Sequence, residues 1–321
     1  MTIDKKVDVI ILSWDRAEDT KKAIISAVEQ QNIDLNVYVV DQGSKIECVQ
    51  DIETLVNEYP NVHLQKNITN TGVPEGRNQA SELGNGDYIV SLDNDAEFLT
   101  PFELEKVVKA YDTRPKTAVI AFNIKRFGTE SNDESSWSYG LSSVDWSNRD
   151  FFTTRFVGAG HAIRRSAFEQ VNGYDNSLFF LHEEVDLSRR FINLGYEIEY
   201  LHNIGVGHKV SAEHRVAWNA GRWTYHARNK TYLSLKLKSP LLSVVFHSFL
   251  LQIDGLKKGM PIDTLKATYA GFKMYQKNKF YFNLAECAFN PDSEEYYRKY
   301  TPGADGSVPT RILRRIKGII K

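Results

Sequence analysis

Between residues 7 and 123, short β-branched runs alternate with longer amphipathic stretches, and this alternation limits the chain to a narrow set of folds. Strand-length runs separated by helix-length ones build βα units around a mostly parallel sheet. Strands are expected at Val7 to Leu12, Val37 to Val40, Val62 to Gln65, Tyr88 to Leu92 and Ala118 to Phe122. Helices are expected at Thr20 to Gln30, Ile46 to Tyr59, Arg77 to Leu83 and Pro101 to Tyr111, the last with Thr100 as cap and Pro101 in its first turn. Open α/β sheets bind ligands in the crevice beyond the carboxyl ends of their strands, so strand ends are the first place to look for chemistry.

The run Ser91-Leu92-Asp93-Asn94-Asp95-Ala96 stands at such an edge. It sets two carboxylates one residue apart after an apolar strand, and hard oxygen ligands of this kind suit Mg²⁺ or Mn²⁺ bridging phosphates. Asp-x-Asp also serves in ordinary turns and helix caps. A length of 321 residues accommodates one large α/β domain with an appendage, or two small domains. A net charge of -1 with 42% hydrophobic residues describes a soluble globular chain and gives no global reason to expect nucleic acid as a partner. Cys48 and Cys287 are far apart and follow no metal-ligand pattern, so neither a disulfide framework nor a zinc site is expected. Met1 to Lys6 leads into a strand with no signal-peptide apolar region, and a cytoplasmic location is the expectation.

Residues 124–150 break the βα rhythm with Gly, Ser, Asn and Asp interleaved with Trp137, Tyr139 and Trp146, and read as an ordered insertion or lid. A second unit follows, with Gly158-Ala159-Gly160-His161, a short helix around Arg165 to Val171, and His182-Glu183-Glu184-Val185-Asp186-Leu187-Ser188-Arg189-Arg190. Beyond residue 212 the pattern is almost wholly helical. Ser239 to Ile253 is apolar but too short to span a bilayer, which leaves a packed or an interfacial helix. Residues 311–321 hold five basic residues and no acidic one, with isoleucines and a leucine at helical spacing. Such a segment can lie on an anionic membrane surface or dock on its own domain.

Several residues carry chemistry alongside a plainer role. Asp41 ends the second strand ahead of Gly43 and can accept hydrogen bonds from a base or ribose, or cap a helix. Arg77 follows the glycine- and proline-shaped loop Asn70 to Gly76 and can meet a phosphate, or serve as a surface arginine. Glu183, Glu184 and Asp186 crowd the first turn of a helix, where the macrodipole favours acids. Their mutual repulsion can also raise one of them into the range of a general base. His208, bounded by Gly205 and Gly207 after a short strand at Tyr196 to Tyr200, offers a neutral imidazole to a metal.

In this order, the strand-terminal Asp41, the loop Asn70 to Asn78, Asp93-Asn94-Asp95, the acidic helix at Glu183 and then His208, the chain resembles the inverting family 2 glycosyltransferases of GT-A fold. The likeness covers residues 5–235. Val9-Ile10-Ile11-Leu12-Ser13-Trp14-Asp15-Arg16 is similar to the family's opening strand, Gly158 to Arg164 to its acceptor-side glycine-rich segment, and the run from Glu183 through Arg189 to Arg190 to its Glu-Asp-x-Asp-Leu-x-x-Arg motif. Glu184 departs from that motif, where many members have Asp, which leaves the proton acceptor open among Glu183, Glu184 and Asp186.

The resemblance implies a GT-A nucleotide-diphospho-sugar transferase fold, with residues 1–212 as catalytic domain and 213–321 as a helical C-terminal region. Residues 1–123 would form the nucleotide-binding half and 124–212 the acceptor and catalytic half. It further implies transfer of a sugar, with inversion, from a UDP- or dTDP-sugar to a hydroxyl of a glycan or lipid-linked acceptor in cell-surface polysaccharide synthesis. Asp95, with Asp93, would hold Mn²⁺ or Mg²⁺, His208 would complete the metal shell, and Glu184 would act as base. Asp15, Asp41, Arg77, Asp93 and Asn94 are implied contacts of the nucleotide sugar, and His182, Trp137 and Trp146 acceptor-side residues. Residues 311–321 would bring the protein to the inner face of the cell membrane. A sugar nucleotidyltransferase shares a similar sheet, but the chain lacks a glycine-rich, Arg- and Lys-bearing loop near its first strand. A binding module without catalysis would have no evident use for the base.

Overall fold

The computed structural model describes residues 5–209, 220–237 and 241–302. In chain order the elements are β1 (Lys6–Ser13), α1 (Ala17–Val28), β2 (Asp34–Asp41), α2 (Ile46–Val56), β3 (Val62–Lys66), α3 (Val73–Glu82), β4 (Tyr88–Asp93), β5 (Ala96–Phe98), α4 (Glu103–Asp112) and β6 (Thr117–Arg126). There follow α5 (Ser143–Trp146), β7 (Phe151–Phe152), β8 (Gly160–Arg164), α6 (Arg165–Gln170), α7 (Glu183–Asn193), β9 (Glu197–His208), α8 (Ala220–Lys236), α9 (Leu241–Lys257), α10 (Pro261–Asn278), α11 (Leu284–Cys287) and α12 (Pro291–Tyr300).

The strands form one sheet in the order β3-β2-β1-β4-β8-β6-β9-β5, with β7 on β9. The first half is the parallel framework expected from the βα rhythm, with β1 parallel to both β2 and β4. β8 enters antiparallel between β4 and β6, and β6 runs parallel to β9. Alternation along β1 explains why both faces are covered. Val7, Val9 and Ile11 join one buried layer with Ile24, Ile52 and Leu104 from α1, α2 and α4, whereas Ile10 joins another with Ala80, Leu187 and Phe191 from α3 and α7.

Several boundaries differ from the sequence reading, among them the starts of α1 and β2, the end of α2 and the end of β6. α3 begins at Val73 rather than at Arg77, because Pro74 fits a first helical turn where no N–H is needed. α4 begins at Glu103 rather than at Pro101, and Thr100 acts through its hydroxyl on Glu103 and Phe102 instead of as N-cap. β9 is twelve residues long and reaches His208, past a register shift opposite Phe122 and Asn123. Residues 311–321 lie outside the described residues.

The helical region is locked to the sheet domain by buried charge. Lys236 of α8 lies 2.7 Å from Asp175 and 2.8 Å from Asp186 of α7, and Arg190 pairs with Asp186 at 2.8 Å. Asp186 is thus held between two cations. Asn229 Nδ2 donates to the carbonyls of Leu178, Phe180 and Leu181, fixing the turn before α7. Burial works against the charge on Asp175, but Lys236 outweighs it and holds the carboxyl at about 2. Its contribution is complete above the ordinary value of 3.8 and is lost as pH falls through about 2. Lys236→Met should therefore cost about 3–5 kcal/mol near neutral pH, because the buried Asp175 loses its cation while Asp186 keeps only Arg190. Urea unfolding of both proteins, repeated toward pH 2, should show that gap shrinking; a gap independent of pH would rule the account out.

Candidate active site at the carboxyl edge of the sheet

Three strand ends converge beyond the carboxyl edge of β4. Asp93 is the last residue of β4, Asp95 sits in the turn to β5, and β5 pairs with β9 so that Ala96 faces His208. One ligand atom each from Asp93, Asp95 and His208 lies within 4.8 Å of the others. His208 Nε2 is 3.4 Å from Asp95 Oδ1, and Nδ1 is 2.8 Å from Asp133 Oδ2. A carboxylate on Nδ1 holds that proton and aims Nε2 at the acidic corner, the arrangement common behind metal-bound histidines. Two carboxylates and one imidazole turned to a common point make a donor set that fits a divalent metal.

The electrostatics mark this corner as acidic: a cation bound there would replace the proton that its carboxylates draw onto His208. Burial opposes the charged imidazole, yet hydrogen bonds to Asp133 and Asp95 prevail and push His208 up to about 10. Burial also works against Asp133, but bonds from His208, Ser135 and Ser136 keep its carboxyl far below the usual range. Arg16 Nη1 donates to Asp95 Oδ2 at 2.6 Å while its Nε and Nη2 hold Asp19. The corner thus carries excess acid that neighbouring cations only partly neutralise.

Arg77 joins this corner to the acidic helix. Its guanidinium is buried and donates to Glu184 Oε1 at 2.9 Å, to Asp93 Oδ1 at 3.3 Å and to the Gly158 carbonyl at 3.2 Å. Of the two readings the sequence offers for Arg77, the burial of its guanidinium removes the surface role. A Cβ on Gly158 would come within 2.6 Å of Glu184 Oε1 and 2.8 Å of Arg77 Nη2, so a larger residue there would displace the ends of both side chains. Glu183 and Glu184, neighbours on the first turn of α7, face different surroundings. Burial, then repulsion from Glu184, pushes Glu183 up to about 8, and its Oε2 has no hydrogen-bond partner.

The remaining expected site residues divide. Asp41 Oδ1 accepts from the Gly43 and Ser44 amides and Oδ2 from the Ser44 hydroxyl, while Ser44 Oγ also accepts from the Asp15 amide. Asp15 Oδ1 accepts from the Lys45 amide, so Asp15 and Asp41 form one polar cluster that shapes the loop. Asn94 reaches Thr20 at 3.3 Å. Trp137 packs edge-on against Tyr139, Phe151 and Tyr200 in the aromatic cluster of the insertion, and the half-buried Trp146 stands edge-on against Phe151. His182 pairs with His226 at 3.2 Å, and burial lowers it to about 4. Asp133 and Arg16 went unmarked in the sequence. Asp133 lies 75 residues before its partner, and only the Arg16 to Asp19 spacing gave a local signal for Arg16.

An open α/β sheet with this acidic corner and a carboxylate-bearing helix across from it is the framework of a GT-A glycosyltransferase. The chain belongs to glycosyl transferase family 2, whose model matches residues 8–171, and it is a glycosyltransferase. It is 22% identical over 219 residues to the glucosyl-dolichyl phosphate glucuronosyltransferase of Haloferax volcanii, covering 64% of this chain and 69% of that one. Its fold is shared with the mannosyltransferase PcManGT of Pyrobaculum calidifontis in complex with GDP-Man and Mn²⁺, at TM-score 0.56 and 15% identity over 98% of this chain and 80% of that one. It is shared as well with GalNAc-T7 bearing UDP, GalNAc and Mn²⁺, at TM-score 0.55 and 15% identity over 71% and 51% of the two chains.

Asp133→Asn removes the carboxylate behind His208 without changing its size. Mn²⁺ affinity followed by calorimetry should fall about 10- to 100-fold. Unchanged affinity would show that His208 does not depend on the insertion.

Proposed function

We propose that the chain is a metal-dependent, inverting transferase that moves a sugar from a UDP- or dTDP-sugar to a hydroxyl of a glycan or lipid-linked acceptor in cell-surface polysaccharide synthesis. The observation that carries this reading is the convergence of Asp93, Asp95 and His208, with Glu184 tied to the same corner through Arg77. Residues 1–212 would supply this machinery as the catalytic domain, followed by a C-terminal region whose described residues, 220–237 and 241–302, are mostly helical. Asp93, Asp95 and His208 would hold Mn²⁺ or Mg²⁺. When bound, the metal supplies charge stabilisation to the diphosphate leaving group.

Glu184 takes the proton of the attacking acceptor hydroxyl. Among the three acids of α7 it is the one neither committed to Lys236 and Arg190, as Asp186 is, nor shut away, as Glu183 is. Arg77 orients the Glu184 carboxylate and fixes its distance from the donor side. Since the leaving diphosphate departs without a proton, no second carboxyl acid is needed, unlike in glycoside hydrolysis. Asp15, Asp41 and Asn94 belong to the donor side through the loops they shape. The name of the Haloferax relative supports a lipid-linked acceptor, while GDP-Man in one structural neighbour and UDP in another leave the base to experiment.

A panel of UDP-, dTDP- and GDP-sugars, each with and without Mn²⁺, tests the proposal. Asp95→Asn should abolish metal-dependent donor binding. Glu184→Gln should retain donor binding and lose about 10²- to 10⁴-fold in kcat. Transfer left intact in Glu184→Gln would remove Glu184 as base, and no donor binding under any metal condition would remove the whole reading.

A further inference from the structure

α9 and α10 form a hairpin through the turn at Gly259 and pack against α8, α9 through Leu251 and α10 through small residues. Ala267 meets Trp223 and Ala227 of α8, and Gly271 lies so close to α8 that a Cβ would approach the Arg228 carbonyl to 2.3 Å. The opposite faces are apolar and exposed. On α9 they carry Leu242, Val245, Phe249 and Leu256, spaced three, four and seven residues apart on one side of the helix. On α10 they carry Ile262, Leu265, Tyr269 and Phe272 with the same periodicity. Phe249 is 60% and Leu265 64% exposed, whereas a chain that keeps such residues to itself covers them.

Charge decides what these faces suit. Residues 241–281 contain six lysines and two acids in a chain whose net charge is -1. Lys266 and Lys273 follow Ile262 and Tyr269 by four residues and so border the apolar stripe, with the Lys273 ammonium over the Tyr269 ring. Long lysine stems at the edge of an apolar face place their charges at headgroup level while the face enters the acyl boundary. A second copy of the hairpin would bring like charge against like, and residues 311–321 are themselves basic. Among the described residues no helix is long and apolar enough to cross a membrane.

We infer that the outward face of the α9–α10 hairpin is a docking surface for an anionic lipid bilayer. This goes beyond the transfer reaction and does not depend on it, because it is measured without any sugar. Full-length protein is sedimented with vesicles of phosphatidylcholine alone or mixed with phosphatidylglycerol, beside Leu265→Glu/Phe272→Glu and Lys266→Glu/Lys273→Glu. The wild type should bind the mixed vesicles, release with salt, and ignore the neutral ones. Each double variant should bind at least about tenfold more weakly while keeping its helical circular dichroism and its melting temperature. Wild type that stays in the supernatant, or variants that sediment as it does, would overturn the inference. So would a wild-type dimer that Leu265→Glu/Phe272→Glu dissociates without any vesicle binding, because the face would then belong to a second copy.

Discussion

A single buried guanidinium holds the two halves of this site at a fixed distance. Arg77 leaves α3 on the nucleotide side, meets Asp93 at the end of β4 and Glu184 on α7, and is capped by the Gly158 carbonyl. A charge buried to this extent costs several kcal/mol unless every donor is answered, so its partners cannot drift apart without exposing that cost. The planar fork reaches all three acceptors at once, which a lysine ammonium on a flexible stem would not do in a defined geometry. Tyr174 closes the space, with its ring centroid 5.6 Å from the guanidinium carbon.

The acidic corner depends in the same way on elements that are distant in sequence. β5 is only three residues long, yet its pairing to β9 carries Asp95 to His208. The insertion after β6 then supplies Asp133, whose position rests on its Ile124 contact and on the aromatic cluster of Trp137, Tyr139 and Phe151 against Tyr200. A segment of that kind ordinarily shapes substrate choice. Here it also orients the imidazole, so changes that remodel the insertion reach the metal corner through one hydrogen bond.

Much of this was legible because it is local. The apolar runs name the strands, and strand-terminal Asp41 and Asp93 follow from where those runs stop. The acidic turn at Glu183 announces its own helix. What escaped depended on contacts between remote segments: Arg16 finds Asp95 79 residues on, and Arg77 finds Glu184 107 residues on. Asp186 reads from sequence like its two acidic neighbours, and only burial beside Lys236 and Arg190 separates it from them. Trp137 reads from sequence as an isolated ring, and its partners Phe151 and Tyr200 come from segments beyond it. The start of α3 was misplaced because the proline in its first turn reads from sequence as part of a loop.

The neighbouring acids Glu183 and Glu184 show how one helical turn can give two identical side chains different roles. Successive residues on a helix point about 100° apart, so one turns inward as the next faces the crevice. Burial makes ionisation costly for Glu183, and the charge on Glu184 adds to that cost, which pushes its carboxyl well above the usual range. Both effects favour the protonated form of Glu183. A neutral neighbour removes the repulsion that two adjacent carboxylates would otherwise share, and leaves the full charge of Arg77 to Glu184 and Asp93. The departure from Asp to Glu at residue 184 lengthens the side chain by one methylene, and the bond from Arg77 fixes where that extra length ends.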